Sequence, residues 1–141
     1  MAANPTKILV IEDDKDTNDI ISSILNDAGF ESSSAYDGEE GLFKAQNENP
    51  DVIILDLMLP KVNGLEVCRV LSANDKTRSI PIIILTAKRE LSTKLSSFVA
   101  GAKRFITKPF EGQDLINEIN RAIRQKELAQ NTDNYPGNQT K

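Results

Sequence analysis

Four apolar runs organise the chain, and each delivers a reactive side chain at its end. Ile8-Leu9-Val10-Ile11 runs into Glu12-Asp13-Asp14, and Val52-Ile53-Ile54-Leu55 into Asp56. Ile82-Ile83-Ile84-Leu85 runs into Thr86-Ala87, and a shorter run, Arg104 to Ile106, leads through Thr107 to Lys108-Pro109. A short stretch rich in β-branched residues and apolar on both faces is what a central parallel strand requires, because helices cover both sides of such a sheet. In an open parallel sheet the carboxyl ends of the strands share one crevice, where ligands bind. Carboxylates, a hydroxyl and one ammonium group would converge there, a set suited to a divalent cation and a phosphoryl group.

The intervening segments carry helical periods. Asp16 or Thr17 is expected to cap a helix with Ile20, Ile21, Ile24 and Leu25 on one stripe, stopped by Gly29. Phe30 to Tyr36 is polar and alternates weakly, which fits an edge strand. Asp37-Gly38 turns into a helix carrying Leu42, Phe43 and Ala45, which Asn49-Pro50 ends. After the loop Pro60 to Gly64, a helix from Leu65 to about Ser72 should turn Val67, Val70 and Leu71 inward. Another spans about Leu91 to Ala100, and the last places Leu115, Ile116, Ile119, Ala122 and Ile123 at helical spacing. Five alternations of strand and helix predict an α/β fold, a doubly wound (βα)5 three-layer sandwich on a five-stranded parallel sheet. Residues 1–130 are read as one domain, and 131–141, without an apolar period, as a disordered tail or linker.

The chain has 141 residues, enough for one core and too few for two ordinary domains. Its formal net charge of −4, with no basic block, argues against nucleic acid as a direct partner. The absence of histidine excludes imidazole from both proton transfer and metal ligation. Cys68 is the only cysteine, so no intramolecular disulfide can form; a reducing, cytoplasmic setting and a small core role on a helix are the natural expectation. No apolar stretch approaches the roughly 20 residues that span a bilayer, and no membrane association is expected.

These motifs, in this order and spacing, resemble the receiver domain of two-component response regulators. The segments that carry the resemblance are Ile8 to Asp14, Asp51 to Pro60 with Gly64, Pro81 to Ala87, and Ala100 to Phe110. The resemblance covers about Lys7 to Gln125 and implies a flavodoxin-like topology similar to the chemotaxis regulators. It implies that Asp56 takes a phosphoryl group from a phosphohistidine on a sensor histidine kinase or phosphotransfer protein. It further implies Mg²⁺ as cofactor, bound by Asp13 and Asp56 directly, by Glu12 through water and by the backbone carbonyl of Met58. Lys108 would pair with the acyl phosphate, its bond to Pro109 being cis in the family. Thr86 and Phe105 would form the switch that reports phosphorylation to an output protein or domain. Met58 and Lys88 flank the site and are expected to set the lifetime of the phosphoryl group.

Taken singly, each residue also has a plainer role: Asp13 and Asp14 as loop and helix cap, Thr86 as a strand-end hydroxyl, Phe105 as core, Lys108 as a solvated charge. An aspartyl-phosphate hydrolase of the haloacid dehalogenase type would need a second Asp where Met58 stands. A flavodoxin-like cofactor binder would need a glycine- or hydroxyl-rich phosphate loop in place of Glu12-Asp13-Asp14. A receiver that only docks proteins remains a third reading. The chain is either a stand-alone receiver or a piece of a longer regulator. On the face made by the fourth helix, fifth strand and fifth helix, Lys103-Arg104 and Glu118 reverse the signs that support a symmetric dimer in the winged-helix branch of the family, while Lys94 and Asp114 keep theirs. A phosphorylation-dependent homodimer with both signs reversed would still be self-complementary. Unrelated exposed charges are the alternative.

Overall fold

The computed structural model describes residues 4–134. Strands and helices alternate as β1 (Lys7–Ile11), α1 (Lys15–Asp27), β2 (Glu31–Ala35), α2 (Gly38–Glu48), β3 (Val52–Leu55), α3 (Gly64–Ala73), β4 (Ile82–Thr86), α4 (Leu91–Val99), β5 (Arg104–Thr107) and α5 (Gly112–Asn134). The sheet order is β2-β1-β3-β4-β5, with every neighbouring pair parallel. The chain therefore reverses direction across the sheet at β1 and β3, and a crevice opens beyond the carboxyl ends of those two strands.

Strand alternation divides the apolar runs between two cores. Leu9, Ile11, Ile53, Leu55, Ile82 and Ile84 pack with Ala45, Val67, Cys68 and Leu71 of α2 and α3. Ile8, Val10, Val52, Ile54, Ile83 and Leu85 pack on the other face with Ile21 and Leu25 of α1 and Leu115, Ile119 and Ala122 of α5. At about 25 cal/mol per Å² of apolar surface removed from water, these doubly covered strands are the main source of cohesion. Cys68 lies buried among them as expected, its Sγ 3.6 Å from the Ala100 carbonyl, and burial pushes its thiol pKa up to about 11.

Several sequence expectations are corrected in detail. The cap of α1 is Asp14, whose carboxylate accepts the Thr17 N–H at 2.9 Å, so the helix starts earlier than Asp16 or Thr17 would allow. Its inward stripe is Asn18, Ile21 and Leu25, whereas Ile20 is 58% exposed. On α2 the inward face is Gly41 and Ala45, and Phe43 is 68% exposed. A Cβ on Gly41 would sit 2.6 Å from Ile11 Cδ1, which shows how closely that helix lies on the sheet. Asn49, with φ of 56°, ends α2 in the left-handed conformation. On α3, Cys68 takes the fully buried place and Val70 is half-buried. The last helix runs to Asn134, and residues 135–141 of the segment read as a disordered tail or linker lie outside the described residues. No helix among the described residues is long and apolar enough to cross a membrane.

Candidate functional site

Glu12 and Asp56 occupy equivalent places, one residue past β1 and β3, because the two strands pair in register with Ile11 opposite Leu55. Both are buried, at 3% and 6% exposure, while Asp13 stands exposed at the mouth of the crevice. Carboxylate oxygens of Glu12, Asp13 and Asp56 lie within 4.8 Å of one another. Three acids this close repel, and Lys108 from the loop after β5 answers the two buried ones. Its Nζ donates to Glu12 Oε1 at 2.6 Å and to Asp56 Oδ2 at 2.9 Å. The Lys108–Pro109 bond is cis, matching the family feature that the resemblance implied.

The remaining oxygens are held by the backbone. Asp56 Oδ1 accepts the Met58 N–H at 3.0 Å, and Glu12 Oε2 accepts the Asp14 N–H at 3.0 Å. Gly64 permits the β3–α3 loop to close tightly, since a Cβ there would run into Leu57 Cα and lie 2.7 Å from the Asp56 carbonyl oxygen. Burial pushes the Glu12 carboxyl pKa up, against the hydrogen bonds from Lys108 and the Asp14 N–H, and the Asp56 charge adds to the rise. Burial also works against the Lys108 ammonium, but its hydrogen bonds to Glu12 and Asp56, together with their charges, prevail and raise its pKa. The ammonium is therefore a permanent positive charge at neutral pH.

An open groove of about 630 Å³ adjoins these acids and is lined by Asp13, Met58, Asn63, Lys88 and Thr93 among others. The Met58 side chain is 56% exposed, so its chemistry is free of packing demands. Thr86, fully buried at the end of β4, accepts the Lys88 N–H at 3.4 Å, and no hydrogen bond to Asp56 is found among the described residues. Phe105 of β5 pairs in register with Ile84 of β4 and packs, half-buried, against the α2–α3 core. The crevice thus gathers Glu12, Asp13, Asp56, Met58 and Lys108. Thr86 and Phe105 stand on the next two strands.

The donor set is all oxygen and anionic, with room for water at the exposed Asp13. That chemistry fits a hard divalent cation such as Mg²⁺, which keeps several waters and takes few carboxylates.

A family model for the response regulator receiver domain matches residues 8–120. The chain belongs to this family. As a receiver domain it serves two-component signalling, where such domains work between histidine kinases and output domains. It is 38% identical over 118 residues to the DNA-binding dual master transcriptional regulator RpaA of Synechocystis, covering 84% of this chain and 49% of that protein. It is 40% identical over 121 residues to the response regulator ArlR of Staphylococcus saprophyticus, covering 86% of this chain and 54% of that protein. The receiver spans about half the length of these curated relatives. Among solved structures, the chemotaxis response regulator CheY4 of Vibrio cholerae superposes with a TM-score of 0.80 at 31% identity, covering 84% of this chain and 99% of that one. A CheY-like receiver domain protein of Methanospirillum hungatei superposes with a TM-score of 0.84 at 28% identity, covering 89% and 99%.

Sequence reading missed two residues beneath this receiver site. Asn18 is completely buried, and its amide reaches the backbone carbonyl of Glu12; Ser34 of β2 bonds in turn to Asn18. The available signal was a polar residue at position 18 on the stripe that continues through Ile21 and Leu25. On the face of the fourth helix, fifth strand and fifth helix, two of the charges pair within the chain. Arg104 Nε donates to Glu118 Oε1 at 2.7 Å within the chain, both side chains about a quarter exposed. Paired within the chain, these two are not unrelated exposed charges. Among the described residues Lys94 and Asp114 form no ion pair.

Proposed function

We propose that Asp56 accepts the phosphoryl group, from a phosphohistidine on a sensor histidine kinase or phosphotransfer protein, in the cytoplasm. The observation that carries the reading is the Asp56 carboxylate, buried, with Oδ2 on the Lys108 ammonium and Oδ1 on the Met58 N–H, beside Glu12 and Asp13. A carboxylate oxygen attacks phosphorus as the bond from phosphorus to histidine nitrogen breaks. Such transfer depends on positioning and on neutralising charge more than on nucleophile strength. Lys108 supplies a fixed positive charge to the phosphoryl oxygens, and the backbone N–H of Met58 holds the attacking carboxylate in orientation.

Glu12, Asp13, Asp56 and the Met58 carbonyl are the groups that would hold Mg²⁺. When bound, the ion neutralises the acids and the incoming phosphoryl oxygens. The domain is no dedicated enzyme; it takes part in transfer to itself and in its own dephosphorylation. Thr86 turns its hydroxyl from Lys88 toward the phosphoryl group, and Phe105 follows into the space released, which changes the surface offered to an output protein or domain. A charge-assisted hydrogen bond contributes about 1.5–3 kcal/mol, short of the ~5.5 kcal/mol needed to shift an equilibrium from 1:99 to 99:1. Lys108, the cation and Phe105 repacking make up the remainder. A phosphorylation-dependent homodimer through the face of α4, β5 and α5 is a further proposal, resting on Lys103-Arg104 and Glu118, with Lys94 and Asp114 as a second pair; in the single chain Arg104 and Glu118 bond to each other.

Incubation with acetyl phosphate and Mg²⁺, read by intact mass, tests the proposal. One acid-stable, base-labile phosphoryl adduct is expected on the wild type and none on Asp56→Asn. A wild type that gains no adduct, or an Asp56→Asn variant that gains the same labile adduct, rules it out.

A further inference from the structure

Asn18 is the sole fully buried polar side chain of α1, and its amide is spent on the chain that leads into the acids. Nδ2 donates to Glu12 O at 3.1 Å and lies within 3.4 Å of Ala35 O and 3.5 Å of Val10 O. Oδ1 accepts from the hydroxyls of Ser34 and Ser22. The Ala35 carbonyl also accepts the Glu12 N–H at 3.0 Å. Both sides of residue 12 are therefore tied, its N–H to β2 and its carbonyl to Asn18. The Glu12 carbonyl belongs to the peptide plane that continues into Asp13, so a side chain gripping that oxygen fixes the direction in which Asp13 leaves the strand.

We propose that Asn18, oriented by Ser34, is a positioning residue for the cation site: it locks the Glu12–Asp13 peptide and so sets the spacing of the acidic ligands. The inference rests on the reading of Glu12, Asp13 and Asp56 as cation ligands. Few side chains can do this at a buried place. The site asks for donors toward carbonyls and an acceptor toward two hydroxyls, which an amide supplies without a net charge. A carboxylate would lack the donors and bring a charge into the core.

Mn²⁺ binding to the full chain, with free ion counted by electron paramagnetic resonance, provides the test, alongside thermal unfolding in EDTA. Asn18→Ala is expected to weaken Mn²⁺ binding about tenfold, the scale on which residues that orient metal ligands act. Ser34→Ala should weaken it by a smaller factor, because the amide keeps its donors but loses its stop. Thr77→Ala removes a buried hydrogen bond to the Leu71 carbonyl ahead of β4, at the other end of the sheet. It should lower the melting temperature and leave Mn²⁺ affinity unchanged. The inference is overturned by wild-type affinity in Asn18→Ala, or by an equal loss in Thr77→Ala, which would mark a mere stability effect. If Asn18→Ala does not fold, Ser34→Ala decides, and unchanged affinity there overturns the inference as well. A wild type that binds no Mn²⁺, or binds it equally after Asp13→Asn, removes the cation reading itself and the inference with it.

Discussion

The two edges of the sheet are held in opposite ways. At the β2 edge the strand is Glu31-Ser32-Ser33-Ser34-Ala35, too polar to be held by burial, and hydrogen bonds take over. Ser34 binds Asn18, Ser32 donates to Asn26 at 3.1 Å, Lys44 Nζ donates to the Ser34 carbonyl, and Glu40 accepts the Tyr36 N–H at 2.7 Å. At the β5 edge every strand residue is only half-buried, and α4 beside it buries Ser97 alone. That helix has no side-chain cap, and it exposes Leu91, Leu95, Phe98 and Val99. The difference assigns two tasks. The tied edge keeps Glu12 and Asp13 in place, and the loose edge, next to Thr86 and Phe105, is where rearrangement costs least.

The largest expected effect lies between the two edges, in the crevice loop after β3. Gly64→Ala places a Cβ against backbone at Leu57 and Asp56 that cannot yield cheaply, and should cost about 3 kcal/mol or more. Gly101→Ala is strained as well, by φ of 116° and by a Cβ that would lie 2.6 Å from Ser72 Cβ, but the clash is with one side chain and not with backbone, so it should cost less. Denaturant titration of both variants checks the order, and a reversed order would mean that the crevice loop is softer than its packing suggests. Native-state hydrogen exchange comes next. Amides of α4 should open with a free energy at least about 2 kcal/mol below those of β1 and β3. Equal protection across the sheet would erase the distinction between the edges.

A smaller effect separates the crevice from both edges. The Glu12 carboxyl pKa is raised above its ordinary 4.5, first by burial, so the folded chain binds that proton more tightly than the unfolded one. Ionised Glu12 therefore subtracts stability at neutral pH, and the deficit disappears as pH falls through the folded value toward 4.5. In EDTA, Glu12→Gln should be the more stable protein at pH 7, with the gap closing on acidification. A gap that widens toward low pH would reverse the sign. The smallest effect belongs to the Arg104–Glu118 pair, which ties β5 to α5. Glu118→Gln should cost no more than about 1 kcal/mol by thermal unfolding, less at high salt.

Legibility in the sequence followed the same division. β1, β3 and β4 were readable because a strand covered on both faces must be apolar throughout, and their ends located Glu12, Asp56 and Thr86. Helix faces at the margins were not. Ile20 reads onto the inward stripe from its spacing, but Asn18 takes that place for its hydrogen bonds, and on α2 Gly41 lies inward for its size. Periodicity rewards apolar residues and has no term for a buried amide that answers backbone carbonyls. Arg104 and Glu118 are 14 residues apart on different elements, so their pairing emerges only when β5 and α5 are set side by side.

Cys68 gives the loose edge a built-in clock. Its sulfur points at the carbonyl of Ala100, at the seam where α3 meets the end of α4, and a thiol held at a pKa of about 11 with no exposed surface is inert to alkylating reagents while that seam is shut. Were α4 to lift away, the sulfur would gain solvent and its ordinary acidity together. With a single cysteine in the chain, the rate at which a reagent modifies this protein counts those openings one molecule at a time, without any added label.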